Sequence, residues 1–391
     1  MTYDFDRVID RRNTDSIKWD GVQRLFGARD VLPMWVADMD FLAPPPVIDA
    51  IRRQADLGIY GYPMRRSSHY EPFMHWVERH HGWKVNRAWL TYSPGVVAGL
   101  SFMILSLSQP GDKVIVQPPV YYPFFRIIEN NGRRITMNPL RLEKGRYVMD
   151  FDHLEKIADE DTTLMILCSP ANPVGRIWER EEIQKVGDFC LENNIMLISD
   201  EIHSDLVYPG FKHIPTATVS EDLARITVTC MGPSKTFNLA GLKSSVIIIP
   251  DHALRILYNK MLRNLAVEMD NVFGQVAFET AYRDGEDWLR ELLEYLHENL
   301  EFAIRYFEER IPKIKVIRPE GTYLVWLDCR SLGLDEKGLK DFMTKEAKVG
   351  LDDGPIFGPG GRGFQRLNIA CPRATLELGL RRIEEAVKAL R

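Results

Sequence analysis

Three side chains suited to chemistry each follow a short apolar segment of the chain. Lys235 follows one such segment, and lysine, which loses its charge readily when desolvated, suits Schiff-base chemistry. Asp200 follows another, and a carboxylate buried there needs a cationic partner such as a protonated pyridine nitrogen. Asn172 lies between two prolines that restrict the local backbone, which suits its amide to donating a hydrogen bond to a ligand oxygen.

A second group of residues is suited to holding a phosphate. The turn at Gly95 leads into an apolar helical stretch, so the backbone N–H groups of Gly95, Val96 and Val97 are candidate phosphate donors. The hydroxyl of Ser234 and the cation of Lys243, eight residues beyond Lys235, are candidates to assist them. These features indicate an anion site close to the reactive lysine.

Aromatic and ionisable side chains add further candidates. Tyr121 and Tyr122 follow an apolar segment and are suited to stacking on a planar ring. Arg366 follows a glycine-rich loop and is suited to binding a carboxylate through two hydrogen bonds. His203 stands three residues after Asp200, where a single histidine is more often a structural residue than a catalytic one.

Each feature also has a plain structural interpretation. Asn172 is typical of an ordinary turn, and Asp200 of a helix cap or a metal ligand. Lys235 would then be a solvated loop residue, and the two tyrosines part of the core. Arg366 would form a surface ion pair, and the glycine-rich loop before it would be a flexible tether. Any one of these interpretations is acceptable when the feature is taken alone.

The features gain weight from their order and spacing. Asn172, Asp200 and Lys235 are 28 and 35 residues apart, which corresponds to one or two strand–helix units in each gap. An aromatic plate, an amide, a carboxylate, a lysine, phosphate donors and an arginine together match what pyridoxal 5′-phosphate (PLP) requires of its binding site. The sequence therefore predicts a PLP site.

The middle of the chain predicts the elements that would position these residues. Short apolar segments alternate with helical patterns such as 179–193, which predicts a mainly parallel sheet with helices on both faces. In such sheets ligands bind beyond the carboxyl ends of the strands. The candidate strands are 113–117, 163–168, 196–199, 226–230 and 245–249.

The pattern changes after about residue 284. A long amphipathic stretch at 288–310, two apolar segments at 314–318 and 323–328, and a last helix at 375–390 predict a smaller α+β domain. We predict a three-layer α/β/α large domain over 45–283. The small domain is predicted to combine 1–44 with 284–391.

Composition narrows the class of protein. The 391 residues are 45% hydrophobic and carry a net charge of −5, which argues against disorder and against a nucleic-acid binder. The five cysteines form no C-x-x-C pair, so we expect no disulfide framework and a cytoplasmic location. The charged first twenty residues do not resemble a signal peptide, and no apolar run is long enough to span a membrane.

Five segments carry a family resemblance. They are Trp35–Phe41, Tyr60–Tyr62, Asp200–His203, Ser234–Asn238 and Arg366–Ile369. The sequence resembles the fold-type I PLP enzymes of the aminotransferase class I/II group. Within that group it resembles the bacterial cystathionine β-lyase, or C–S lyase, branch of MalY and PatB type. The resemblance covers nearly the whole chain.

The resemblance implies a role for each candidate. Lys235 would be the Schiff-base lysine and Asp200 the partner of the pyridine nitrogen, with Tyr122 as a further catalytic residue. Arg366 and Ala37 would bind the substrate. The resemblance also implies a homodimer, in which Tyr60 or Tyr62 reaches the phosphate bound by the neighbouring subunit. The implied cofactor contacts within one chain are Gly95, Val96, Val97, Tyr121, Asn172, Asp200, His203, Ser234, Lys235 and Lys243.

The implied activity is cleavage of cystathionine or a related cysteine thioether to a thiol, pyruvate and ammonia, a step of sulfur amino acid metabolism. The alternative is a PLP-dependent aminotransferase acting on a small or aromatic amino acid, which would use the same residues. A third possibility is a ligand-sensing regulator built on this fold. Such a protein would carry a DNA-binding domain, and residues 1–40 are too few and not basic enough to form one.

Overall fold

The computed structural model describes residues 2–390, which form both α-helices and β-strands. Its strands are β1 (Leu32–Pro33), β2 (Leu90–Ser93), β3 (Lys113–Val116), β4 (Arg134–Met137), β5 (Arg141–Glu143), β6 (Arg146–Val148), β7 (Thr162–Cys168), β8 (Met196–Asp200), β9 (Thr227–Met231), β10 (Ser245–Ile248), β11 (Lys315–Ile317), β12 (Leu324–Asp328), β13 (Val349–Gly350), β14 (Asp352–Asp353) and β15 (Phe364–Asn368).

The α-helices are numbered in the same way. They are α1 (Val22–Phe26), α2 (Pro45–Asp56), α3 (Glu71–His81), α4 (Val96–Leu107), α5 (Pro123–Asn130), α6 (Phe151–Ile157), α7 (Arg180–Glu192), α8 (Glu221–Ile226), α9 (Pro233–Thr236), α10 (His252–Asn264), α11 (Val272–Asp284), α12 (Glu286–Arg310), α13 (Glu336–Asp341) and α14 (Arg373–Ala389).

A seven-stranded sheet forms the centre of the molecule, with the order β2-β10-β9-β8-β7-β3-β4. The five strands β9, β8, β7, β3 and β4 are parallel to one another, whereas β10 is antiparallel to its two neighbours, β2 and β9. Ile166 and Ile198 pack into one apolar cluster and their chain neighbours Met165 and Leu197 into another. Since successive side chains of a strand point to opposite faces, both faces of this sheet are buried.

The prediction of a mainly parallel sheet covered on both faces is confirmed. The five candidate strands correspond to β3, β7, β8, β9 and β10, with bounds that agree within one residue. The prediction missed β2 and β4, which lie at the two edges of the sheet. The antiparallel direction of β10 was also not foreseen, because its apolar composition does not indicate direction.

A second, antiparallel sheet has the order β11-β12-β15-β14 and lies in the later part of the chain. Its strands and the helices α12 and α14 confirm the change of pattern expected after about residue 284. The N-terminal strand β1 pairs in parallel with β13. That pairing joins the first 44 residues to the C-terminal part, although the domain limits at 44/45 and 283/284 stay a prediction.

Two absences within residues 2–390 bear on function. None of the helices there is long and apolar enough to cross a membrane. Nor do the histidine, cysteine and acidic side chains of that range form a group of three or more that is suited to a metal ion. The five cysteines are buried and free.

Candidate active site

A cavity of ≈ 450 Å³ opens at the carboxyl ends of β7, β8 and β9, and most of the predicted site residues meet on its wall. This is the edge of a parallel sheet at which ligands are expected. The predicted residues that line it are Ala37, Gly95, Val96, Val97, Tyr121, Asn172, Asp200, His203, Ser234, Lys235 and Lys243.

Lys235 is held in the cavity by a backbone carbonyl. It lies on the short helix α9, directly after β9, and its Nζ donates a hydrogen bond of 2.6 Å to the Ala37 oxygen. The Tyr323 hydroxyl donates to the same oxygen at 2.9 Å. Burial, together with the nearby positive charge of Arg366, lowers the pKa of Lys235 to about 8. The amine is therefore easier to deprotonate than an exposed lysine.

Asp200, the last residue of β8, is a buried acid that lacks a cationic partner. Its side chain accepts one hydrogen bond, of 3.2 Å, from the backbone N–H of Ile202. Among the described residues no lysine, arginine or histidine forms an ion pair with it, and burial raises its pKa to about 7. Since a buried carboxylate is costly without a positive partner, the site favours a ligand that brings a cation to this point.

Asn172 and Arg366 form one unit. The Arg366 guanidinium donates to the Asn172 side-chain oxygen at 2.9 Å and to the Trp35 carbonyl at 2.9 Å, and it pairs with Asp352. Because its oxygen accepts this bond, Asn172 is left with its NH₂ group as a donor that has no hydrogen-bond partner among the described residues. Arg366 is buried, so the interpretation of it as a surface ion pair is wrong.

The anion end of the cavity is built from the start of α4. Gly95 precedes this twelve-residue helix with φ = 113°, a value that side-chain-bearing residues rarely adopt. The Ser93 hydroxyl donates to the Gly95 oxygen at 2.8 Å and fixes the turn. The first N–H groups of the helix have no partner within it. Ser234 and Lys243 line the same cavity, so the predicted phosphate donors do converge.

His203 and Tyr121 supply the flat walls. His203 is buried, its Nδ1 has no hydrogen-bond partner among the described residues, and its ring centre lies 6.0 Å from that of Tyr323. Burial lowers its pKa well below the ordinary value, so the imidazole is neutral. Tyr121 packs against Tyr122 and Phe124, each at 5.6 Å between ring centres, and presents its ring to the cavity.

Four predicted residues are not on the cavity wall. Arg366 reaches it through Asn172, and Tyr122 packs against Phe357 at 5.7 Å between ring centres. Tyr60 is 57% exposed and its hydroxyl donates to the Ala55 carbonyl at 2.8 Å, whereas Tyr62 is 94% exposed. Within one chain, neither Tyr60 nor Tyr62 is part of the site.

The segment 36–41 includes the Ala37 carbonyl that binds Lys235, and two asparagines that the sequence analysis did not single out hold it in place. Asn238 donates to the Met39 and Phe41 carbonyls, both at 3.0 Å. Asn368 donates to the Val36 carbonyl at 2.6 Å and to the Asp38 carbonyl at 2.7 Å. Both asparagines lie in segments that carried the family resemblance, which was the only available signal. The sequence did not indicate a role for Tyr323, because its hydroxyl binds a backbone oxygen, that of Ala37.

The chain is similar to known proteins over nearly its whole length. The family model "Aminotransferase class I and II" matches residues 29–383. Cystathionine beta-lyase PatB of Bacillus subtilis is 47% identical over 384 residues, covering 98% of this chain and 99% of that protein.

Two solved structures share the fold over the full length. Cystalysin of Treponema denticola, whose structure contains pyridoxal 5′-phosphate, is 37% identical with a TM-score of 0.96, and all of both chains is covered. The PLP-bound C–S lyase of Staphylococcus hominis is 34% identical with a TM-score of 0.93, covering 99% of this chain and 98% of that one. This chain has a fold-type I architecture and belongs to the aminotransferase class I and II family.

Proposed function

We propose that this protein is a PLP-dependent C–S β-lyase, which converts cystathionine or a related cysteine thioether and water to a thiol, pyruvate and ammonia. The observation that carries the proposal is the meeting of Lys235 and an unpaired, buried Asp200 in one cavity. The similarity to cystathionine beta-lyase PatB and to the C–S lyase structure of Staphylococcus hominis supports the lyase over other reactions of the family.

The residues present fit PLP. Asp200, which has no cationic partner within residues 2–390, would pair with the ring nitrogen. The NH₂ of Asn172 and the neutral His203 would face the ring hydroxyl. The Tyr121 ring would stack on the ring face. The phosphate would be held by the start of α4, with Ser234 and Lys243. When bound, PLP acts as an electron sink that stabilises negative charge at the substrate Cα.

The chain's own groups supply binding and proton transfer. Arg366, already oriented by Asp352, would bind the substrate carboxylate. The Lys235 amine would take the Cα proton, since its lowered pKa leaves it partly unprotonated near neutral pH. The leaving sulfur would then receive a proton from the Lys235 ammonium, which lines the cavity, whereas the Tyr122 hydroxyl, the other predicted donor, belongs to a residue off its wall.

One assay tests this function against the aminotransferase alternative. The purified protein, loaded with PLP, is incubated with L-cystathionine in the absence of any 2-oxo acid, and pyruvate and free thiol are measured. Equal amounts of the two products are expected. Product formation that requires added 2-oxoglutarate would contradict the lyase and favour the aminotransferase.

The rate of cofactor uptake provides the first prediction. The Lys235 amine would have to be unprotonated to form the linkage to PLP, so the rate at which the apoprotein takes up PLP should rise with pH around a midpoint near 8. The rate is measured from the visible absorbance of the bound cofactor after rapid mixing at pH 6 to 10.5. A midpoint at the ordinary lysine value of 10.5 would contradict the assignment of Lys235.

We also propose a cytoplasmic homodimer. The five free cysteines suit a reducing compartment. Exposed apolar side chains cluster in the segment 57–64, including Ile59, Met64 and Tyr62, as is typical of an interface. The Tyr60 hydroxyl is already bonded within its chain, so Tyr62 is the better candidate to reach the partner's phosphate site.

A conservative substitution tests the role of Tyr62. Tyr62→Phe should weaken PLP binding about tenfold, since it removes a hydrogen bond to a charged group, and should leave the dimer intact. Affinity is measured by absorbance titration and mass by light scattering, with Tyr60→Phe as the matched control. The assignment fails if Tyr60→Phe, and not Tyr62→Phe, weakens binding, or if the wild-type protein is a monomer.

A further inference from the structure

An acid whose side chain is almost fully covered lies behind the active site. Asp205 follows the segment that carries Asp200 and His203, yet it lines a separate cavity of ≈ 550 Å³ together with His81. Asp205 is absent from the wall of the active-site cavity. It therefore lies off the wall of the cavity in which a substrate or PLP would bind beside Lys235.

Asp205 accepts three side-chain hydrogen bonds. The donors are Trp76 Nε1 at 2.9 Å, His81 Nε2 at 2.8 Å and the Thr236 hydroxyl at 2.7 Å. Burial opposes its charge, but the hydrogen bond and positive charge of His81, with the bonds from Trp76 and Thr236, lower its pKa to about 2. The carboxylate is thus an ionised acceptor of fixed orientation. Hydrogen bonds to a charged acceptor are stronger than those between neutral groups.

Thr236 connects this acceptor to the reactive lysine. It is buried, it directly follows Lys235, and it is the last residue of α9, which spans only four residues. A helix this short has little rigidity of its own. The bond from the Thr236 hydroxyl to Asp205 therefore fixes the backbone from which the Lys235 side chain extends.

We propose that Asp205 is a positioning residue that, through Thr236, sets the placement of the Lys235 amine in the active site. Precise placement matters because a misplacement of about 1 Å at a reacting group can cost up to about a hundredfold in rate. The inference rests on the proposed function only in taking Lys235 as the residue that reacts with PLP.

Removing one hydroxyl tests the proposal. Thr236→Val keeps the side-chain shape and deletes the bond to Asp205, so kcat should fall about tenfold, equivalent to about 1.4 kcal/mol. KM should stay within about twofold, because Arg366 and Asn172 are untouched. PLP uptake by the apoprotein should slow by a similar factor, and Thr236→Ser, which keeps the hydroxyl, should restore both rates.

A matched control separates positioning from general stability. Thr227 is also buried, and its hydroxyl donates at 2.6 Å to the Leu223 carbonyl, away from the site. Thr227→Val should lower the melting temperature and leave kcat and the uptake rate unchanged. Wild-type values of both rates in Thr236→Val would overturn the proposal, whatever its melting temperature. If Thr236→Val does not fold, Asp205→Asn is judged by the same two rates.

The uptake rate also distinguishes this inference from the proposed function. A wild-type protein that takes up PLP but releases no thiol or pyruvate would refute the lyase. The comparison of uptake rates in Thr236→Val and Thr236→Ser would still decide whether Asp205 positions Lys235.

Discussion

Replacement of Lys235 by alanine is expected to reduce pyruvate and thiol release from cystathionine by at least about 10⁴-fold, the upper range for one proton-transferring residue. Lys235 has two roles, as the attachment point for the cofactor and as the base at Cα. Its Nζ is also held in the cavity by the Ala37 carbonyl. Lys243 lines the same cavity, where it would bind the phosphate and would not replace Lys235.

Lys243→Ala provides the control for this prediction. It removes a cation from the same cavity, so it should weaken PLP binding and keep the visible absorbance of the attached cofactor. Lys235→Ala should lose that absorbance altogether, while its melting temperature without PLP stays close to that of the wild type. A Lys235→Ala protein that still shows the absorbance would exclude Lys235 as the attachment point.

The second large effect is expected from Asp200→Asn. Asparagine has the shape of aspartate but no charge, so it cannot hold a proton on the cofactor's ring nitrogen. The loss of one aligned electrostatic partner in a buried site costs about 10²- to 10³-fold in kcat. The measurement is kcat for thiol release at saturating PLP, with Asp200→Glu as a control that keeps the charge at a changed distance. A fall of less than tenfold in Asp200→Asn would contradict the pairing.

The same substitution, which lowers kcat, should raise the stability of the protein without PLP. The pKa of Asp200 is raised from 3.8 to about 7 in the folded protein without PLP, so ionisation opposes folding. The penalty is absent below about pH 3.8, grows as the pH rises and is complete above about pH 7. Apo Asp200→Asn should therefore be more stable than the apo wild type at pH 8, and the two should converge near pH 4, as measured by denaturant unfolding. Bound PLP, which brings a cation, should remove the advantage.

The sequence predicted the parts of the site that depend on local pattern. Asn172, Asp200 and Lys235 follow apolar strands, and parallel strands place such residues at one edge of a sheet. Their meeting on one cavity wall could therefore be expected from the sequence alone. The turn at Gly95 was predictable for a similar reason, since only its backbone conformation and the following helix matter.

Contacts between distant segments could not be predicted in this way. The Ala37 carbonyl binds Lys235 from 198 residues away, and a backbone oxygen carries no mark in the sequence. The partner of Thr236 is Asp205, and nothing in either residue's neighbours indicates their bond. Arg366 was recognised as a carboxylate binder, but its burial beside Asp352 depends on how β14 and β15 pair.

The chemical identity of the Lys235 linkage is tested most directly by locating the cofactor on the chain. The PLP-loaded protein is reduced with borohydride, digested with trypsin and analysed by mass spectrometry. Trypsin does not cleave after a modified lysine, so we predict a single peptide of residues 226–243 that carries the cofactor's mass on Lys235. Cofactor mass on Lys243 or any other lysine, with unmodified peptide 226–235 recovered in full, would contradict the proposed site.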